Sequence, residues 1–280
     1  MRNNGNKSRR GLWMVQVLLL ILVFVAWYVL TAPDLLPPLY FSEPNQAAFL
    51  FGEPQKVVWR VWEWIVSGTI FEHLAVTLVE TLLAFVIGTM LGLGIGLWLA
   101  LVPTAAAVLD PYIKAANSMP RVILAPIFGV WFGLGVGSKV ALGVTLVFFV
   151  VFFNVYQGVR EVSPVVLASA RMLGANSRQL LRHVYLPSAM SWVFSSLHNA
   201  VGLAFVGAVV GEYLGSSRGV GYLILQAEGV FDINTVLAGI LVLTVFALLL
   251  DVVVSALEKR LLRWRPCSRG DRADLGVTVG

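Results

Sequence analysis

The stretch from Trp13 to Leu30, WMVQVLLLILVFVAWYVL, contains no charged residue. A helix rises about 1.5 Å per residue, so about 20 apolar residues cross a hydrocarbon core of about 30 Å. Six segments of this chain meet that requirement, at approximately 12–31, 74–102, 119–135, 138–159, 188–212 and 234–257. The third is interrupted by Pro120, Pro126 and several glycines, and is expected to kink or to begin as an interfacial segment. With 58% hydrophobic and 12% charged residues, and a mean hydropathy of +0.84, the chain has more apolar surface than 280 residues can bury. Lipid must cover the excess, so the expected fold class is an all-α membrane protein.

The first span has the basic start of a signal peptide, Lys7, Arg9 and Arg10. Its apolar run exceeds the roughly 7–15 residues of such peptides, and the turn-rich exit TAPDLLPP replaces a small-x-small cleavage site. An uncleaved anchor is the better reading. The remaining charges set the orientation. With the N-terminus inside, one side receives Arg2, Lys7, Arg9, Arg10, Lys114, Arg121, Arg160, Arg171, Arg178 and Arg182. The tail adds Lys259, Arg260, Arg263, Arg265, Arg269 and Arg272 to the same side, which makes 16 of the 20 Lys and Arg residues. Only Lys56, Arg60, Lys139 and Arg218 fall opposite. The net charge of +5 and the pI near 9.6 are therefore a topogenic signature rather than a nucleic-acid footprint.

The resulting organisation is a cytoplasmic N-terminus at 1–11, a first span at 12–31 and an extracytoplasmic segment at 32–73. A core of five further spans follows at 74–257, enclosing a cytoplasmic elbow at 161–187, and a cytoplasmic basic tail occupies 258–280. Within the extracytoplasmic segment, VVWRVWEWIV reads as an interfacial helix anchored by Trp59, Trp62 and Trp64. The single cysteine, Cys267, excludes an internal disulfide.

Several chemistries are missing. The nearest approach to a P-loop, GLGVGSKV at 133–140, has Ser138 in place of the second glycine and Val140 in place of Ser or Thr. It reads as a turn in an external hairpin. His73, His183 and His198 are scattered without metal-ligand spacing, so no metal site is expected. Gly88, Gly92, Gly94 and Gly96 in GTMLGLGIG form overlapping GxxxG steps with no strand before them, which points to close helix packing instead of a dinucleotide fold. Nothing resembles a catalytic triad, so the chain is not expected to be an enzyme or to bind a cofactor of its own.

Polar groups at membrane depth are the remaining candidates for function. Glu80, in TLVETLLAF, would cost about 2.5–3.5 kcal/mol facing lipid and must meet helices, water or a partner. A place in a solute pathway and a structural hydrogen bond between helices both fit it. Asn154, His198, Asn199 and Glu212 complete the candidate set, with Glu212 and Asp251 placed near span ends where interfacial water is in reach.

The elbow contains RMLGANSRQLLRHVYLP. Ser163-Pro164 can start a helix, VVLASARML supplies an apolar flank of Val166, Leu167, Ala170 and Leu173, and Gly174 can stop it. Asn176 or Ser177 can cap a second short helix, RQLLRHV. The flank can pack on the chain's own spans, with its arginines at anionic lipid, or dock into another protein.

The spacing here resembles that of the permeases of binding-protein-dependent ABC importers, whose motif is EAA, three residues, Gly, nine residues and Ile-x-Leu-Pro. Ala168, Ser169 and Ala170 occupy the EAA positions, Gly174 the glycine, and Val184, Tyr185, Leu186 and Pro187 the end. The glutamate of the motif is absent at Ala168. HLAVTLVETLLAFVIGTMLGLGIG, LDPYIKAANSMPRVILAPIFGVWFGLG and VVGEYLGSSRGVGYLI extend the resemblance over roughly 70–260, toward the nitrate, sulfonate and taurine branch. The resemblance implies a type I importer permease fold in a bacterial inner membrane and a permease homodimer. It also implies a cytoplasmic ATPase that uses ATP and Mg, and an extracytoplasmic substrate-binding protein. Glu161, Ala168, Ser169, Ala170, Gly174, Ala175, Leu186 and Pro187 would couple the elbow to the ATPase. A secondary transporter or channel without an ATPase would instead show acidic or histidine relays and repeats between halves, whereas Glu80 reads as isolated and no clear repeat is seen.

Overall fold

The computed structural model describes residues 4–32 and 46–261, and of residues 4–13, 191, 193–197 and 257–261 it describes the backbone alone. The proline-rich exit, Arg2, and the tail from 262 onward with Cys267 lie outside the described residues. Every element among those described is helical. In chain order these are α1 (Asn4–Thr31), α2 (Gln46–Phe51), α3 (Pro54–Ser67), α4 (Thr69–Leu101) and α5 (Pro103–Ser118). A 3-10 turn (Arg121–Leu124) precedes α6 (Ala125–Phe132), α7 (Val136–Arg160), α8 (Pro164–Met172) and α9 (Ser177–Leu180). A π turn (Leu181–Tyr185) then leads into α10 (Leu186–Leu214), α11 (Val220–Gly229) and α12 (Ile233–Leu261).

Among the described residues four helices carry apolar windows long enough to cross a bilayer, at Met14–Thr31, Thr69–Leu101, Val136–Arg160 and Ile233–Ala256. The stretch 103–118, left between the second and third expected spans, is helix α5. The interruption expected in 119–135 takes the form of the 3-10 turn and α6, because Pro120 and Pro126 each remove a backbone donor and Gly133 leaves the helix at φ 74°.

The chain divides into two units, with α4 and α12 contributing to both. In the unit of Met1–Leu74 and Val220–Thr244, the Trp27 indole donates to the Phe51 carbonyl at 3.1 Å, tying α1 to α2. Glu53 N–H donates to Asn234 Oδ1 at 2.7 Å, and a Cβ on Gly239 would stand 2.5 Å from Ile224 Cγ1, so α11 lies close against α12. Asp232 caps α12 by accepting from the N–H and hydroxyl of Thr235, at 3.1 and 2.5 Å.

The unit of Ala75–Gly219 and Val245–Gly280 is built around α7. A Cβ on Gly88, Gly92 or Gly96 of α4 would approach Val147, Val151 or Val155 of α7 to 2.7, 2.9 or 3.1 Å. The fourth glycine of that stretch, Gly94, has nothing within 4 Å. The four-residue repeat thus places three glycines on one face, where they let α4 lie against the valine ridge of α7. Ala84, Ala200 and Ala204 join these valines in the buried core. Small side chains at the crossing let dispersion contacts form between backbones, the main source of helix association where lipid is as apolar as leucine.

Candidate coupling elbow and buried charge cluster

The elbow starts where α7 ends. Glu161 follows Arg160, is exposed, and accepts from Gln157 Nε2 at 2.8 Å. Ser163 stands at the cap position of α8 but makes no capping hydrogen bond with its side chain, and Pro164 opens the helix. Ala168 and Ser169 are exposed, while Ala170 is half-buried. Gly174 has φ +83°, a left-handed conformation that side chains rarely adopt, and it closes α8. Ala175 N–H donates to the Ala170 carbonyl at 3.0 Å, and Gly174 N–H donates to that of Arg171 at 2.9 Å. These bonds satisfy carbonyls at the helix end that would otherwise be orphaned.

Asn176, not Ser177, caps the next helix. Its side chain accepts from Gln179 N–H at 2.9 Å, and Gln179 Oε1 accepts from Asn176 N–H at 2.8 Å, a reciprocal capping box. The expected second helix RQLLRHV is shorter in α-form, running through the π turn directly into α10, with Leu186 and Pro187 in the first turn of that helix. Leu180 is buried. The flank expected to be apolar is not covered by this chain: Val166, Met172 and Leu173 are exposed, the last two at 86% and 89%, and only Leu167 and Ala170 are half-buried.

The second cluster corrects three sequence expectations. Glu80 is not isolated, Lys139 does not sit in a solvent-facing turn, and Glu212 is not within reach of interfacial water. Their side chains are 1%, 0% and 0% exposed. Lys139 falls in the first turn of α7, which begins at Val136, and its ammonium donates to the Leu134 carbonyl. The Glu80 and Glu212 carboxyl groups share a hydrogen bond, which requires a proton on one of the two, and Lys139 lies within electrostatic reach of both. Thr77 Oγ1 donates to Glu212 Oε1 at 2.6 Å, and Thr81 Oγ1 donates to the Thr77 carbonyl at 2.7 Å. Glu80 Oε2 has no hydrogen-bond partner among the described residues. Gly219, at φ +105°, lies so close that a Cβ there would stand 2.1 Å from the Glu212 carboxyl carbon. The cluster therefore joins α4, α7 and α10 through buried ionisable groups, in which electrostatic attraction between the Lys139 ammonium and the acids offsets part of the desolvation cost.

The other candidates stay apart from it. Asn154 donates to the Val150 carbonyl of its own helix at 2.7 Å, and Asn199 is exposed. His198 Nε2 lies 2.6 Å from Asp251 Oδ1, the two side chains 46% and 50% exposed. Sequence reasoning missed Lys139, Thr77 and the His198–Asp251 pair. A lysine four residues into an apolar helix was the available signal for the first; no spacing in the sequence announces a pair 53 residues apart.

Residues 88–263 match the family model of the binding-protein-dependent transport system inner membrane component. The chain is 32% identical over 269 residues to the putative aliphatic sulfonates transport permease protein SsuC of Bacillus subtilis (strain 168), covering 96% of this chain and 94% of that protein. It is 29% identical over 248 residues to the taurine transport system permease protein TauC of Escherichia coli (strain K12), covering 88% and 87%. The riboflavin transport system permease protein RibX of Chloroflexus aurantiacus is 33% identical over 217 residues, covering 78% and 81%. A solved inward-facing structure of the MetNI methionine ABC transporter shares the fold, with a TM-score of 0.56 at 19% identity over 73% of this chain and 97% of that one.

Proposed function

This chain belongs to the family of binding-protein-dependent transport system inner membrane components, multi-pass proteins of the bacterial inner membrane, and from that premise we propose that it is the permease subunit of an ATP-binding cassette importer. Two copies line the pathway. A separate cytoplasmic ATPase binds ATP and Mg, and an extracytoplasmic binding protein delivers the solute. The solute is a small organic compound of the sulfonate or taurine kind, the substrates for which two of its relatives are named.

The observation that carries this reading is the elbow. It is a short helix stopped by Gly174 at φ +83°, with Met172 and Leu173 exposed beside the stop and a second turn that runs without interruption into α10. Exposed apolar side chains on a capped, rigid corner form a knob that suits a groove on another protein. The continuity with α10 means that movement of the knob moves a long apolar helix. Closure of the ATPase dimer on ATP would pull the two elbows and rock the helices between inward- and outward-open states. Docking proceeds without an acid at Ala168, by apolar contact and by Glu161, Ser169, Ala170 and Ala175 around the corner.

Affinity purification of the tagged chain from its own membrane in mild detergent tests this. A stoichiometric nucleotide-hydrolysing subunit is the expected companion; its absence across several detergents counts against the importer.

A further inference from the structure

Two cavities open side by side on the unit of Met1–Leu74 and Val220–Thr244. One, of about 600 Å³, is walled by Phe24 of α1 and by Pro54, Val58 and Trp62 of α3. The other, of about 470 Å³, is lined by Lys56, Arg60 and Glu63 of α3 and by Asp232. Gln55 and Trp59 line both, so the apolar groove opens directly into the charged one. A continuous surface of this kind, greasy at one end and ionic at the other, has the two-part form of a phospholipid.

Depth agrees. Phe24 is seven residues, about 10 Å of helical rise, from the end of α1 at Thr31. The apolar groove therefore lies inside the hydrocarbon of the leaflet in which α1 ends, and the amphipathic helix α3 carries its charges at headgroup level.

The charges select the headgroup. Lys56 Nζ lies 2.6 Å from Glu53 Oε1, and Arg60 lies 2.9 Å from Glu63 and 3.5 Å from Asp232. The lining thus holds two cations, Lys56 and Arg60, and two carboxylates, Glu63 and Asp232, with Glu53 beside Lys56 just outside it. A purely anionic headgroup would leave the two lining carboxylates without a cation to receive. A headgroup with both a phosphate and a primary ammonium finds partners for each: Lys56 and Arg60 keep N–H groups free to donate to phosphate oxygens, and Glu63 and Asp232 accept from the ammonium. A quaternary ammonium has no N–H to offer these carboxylates, and Trp59 with Trp62 does not enclose it as an aromatic cage would. We propose that this groove is a binding site for one phosphatidylethanolamine molecule, one of its two acyl chains along Phe24, Val58 and Trp62 and its headgroup between Lys56–Arg60 and Glu63–Asp232.

The test uses the full chain, reconstituted with equal amounts of phosphatidylethanolamine, phosphatidylglycerol and phosphatidylcholine, extracted in mild detergent and read by native mass spectrometry. One phosphatidylethanolamine per chain is expected to be retained, at least threefold over either competitor. Val58→Asn, at a position already 55% exposed, should cut retention severalfold while leaving the protein folded. Glu63→Lys turns a balanced lining into three cations against one carboxylate and should shift the preference to phosphatidylglycerol; Asp232 is left alone because it caps α12. Retention of no lipid, preference of the parent chain for either competitor, or retention indifferent to both substitutions overturns the proposal. None of these outcomes bears on the ATPase, so the importer reading stands or falls separately.

Discussion

Gly207 of α10 lies against Gly143 of α7 so closely that a methyl group on Gly207 would stand 2.5 Å from the Gly143 Cα. From the other side, a methyl group on Gly143 would meet Ala84 Cβ of α4 at 2.6 Å. Three helices thus meet at a point where the two atoms nearest a Gly207 methyl are both backbone, and backbone cannot turn aside as a long side chain can. Gly207→Ala is expected to lower stability by about 1–3 kcal/mol, the usual cost of overpacking. Gly94→Ala, on a helix face with nothing within 4 Å, should leave stability unchanged or raise it by about 0.4–1 kcal/mol. Thermal ramps of the two variants in detergent, read by size-exclusion chromatography, measure the difference; equal midpoints would contradict the packing.

Lys139 is the cation of a cluster with two carboxyl groups, Glu80 and Glu212, that share one hydrogen bond, and none of the three reaches solvent. Lys139→Met keeps the volume and removes the charge, leaving the acid pair buried without a counter-ion. Loss of one partner from a buried ion pair costs about 3–5 kcal/mol, so this variant should accumulate poorly in the membrane and unfold at markedly lower temperature. Neutralising all three, with Glu80→Gln and Glu212→Gln added, should recover much of the loss, since paired neutral groups carry a far smaller desolvation cost. If the triple variant is no better than Lys139→Met alone, the loss does not come from an unpaired buried charge.

These two sites mark what a sequence of this kind discloses. The GxxxG steps at Gly88, Gly92 and Gly96 were legible because helical spacing alone puts them on one face, and that face meets α7. The elbow was legible because Gly174 and the capping residue Asn176 act through their own backbone neighbours. The charge cluster was not. Glu80, Lys139 and Glu212 are each odd in an apolar run, but their meeting depends on the register of three helices, which no local pattern encodes. The glycines ahead of Lys139 resemble a turn, whereas α7 begins at Val136, two residues before the apolar run at 138–159, and takes Lys139 into its first turn. The break between α5 and α6 follows from Pro120 and Pro126, whereas α5, with Asp110, Pro111 and Lys114 inside it, lacks the unbroken apolar run that marks a span.

Gly174→Ala introduces a Cβ at φ +83°, for which the left-handed conformation costs about 1–2 kcal/mol, and the end of α8 should loosen accordingly. Gly174→Trp adds bulk where this chain places nothing within 4 Å, so insertion into the membrane should be preserved. On the importer reading the added ring occupies the docking face. Solute uptake should then fall to background and ATP hydrolysis by the partner should lose its dependence on the binding protein. A Gly174→Trp protein that transports at the parent rate would remove the elbow from the coupling mechanism.

His198 and Asp251 offer a measure of where water reaches. Asp251 lies within the apolar window Ile233–Ala256 of α12, and its carboxylate is 2.6 Å from His198 Nε2 of α10. Each side chain is about half exposed on this chain, so the chain itself does not seal the pair. In water an exposed pair of this kind contributes about 0–1 kcal/mol, and His198→Ala and Asp251→Ala would have small, additive effects. At hydrocarbon depth an unpaired acid costs about 2.5–3.5 kcal/mol, so His198→Ala should be the more damaging single change and the double variant should recover part of its loss. A double-mutant cycle on unfolding in bilayer-like detergent reads the coupling directly. The position inside the apolar window favours a coupling above about 1 kcal/mol, the ceiling for an exposed pair in water. A coupling near zero would place the pair in an aqueous space, on the face of α10 and α12 turned toward a solute path.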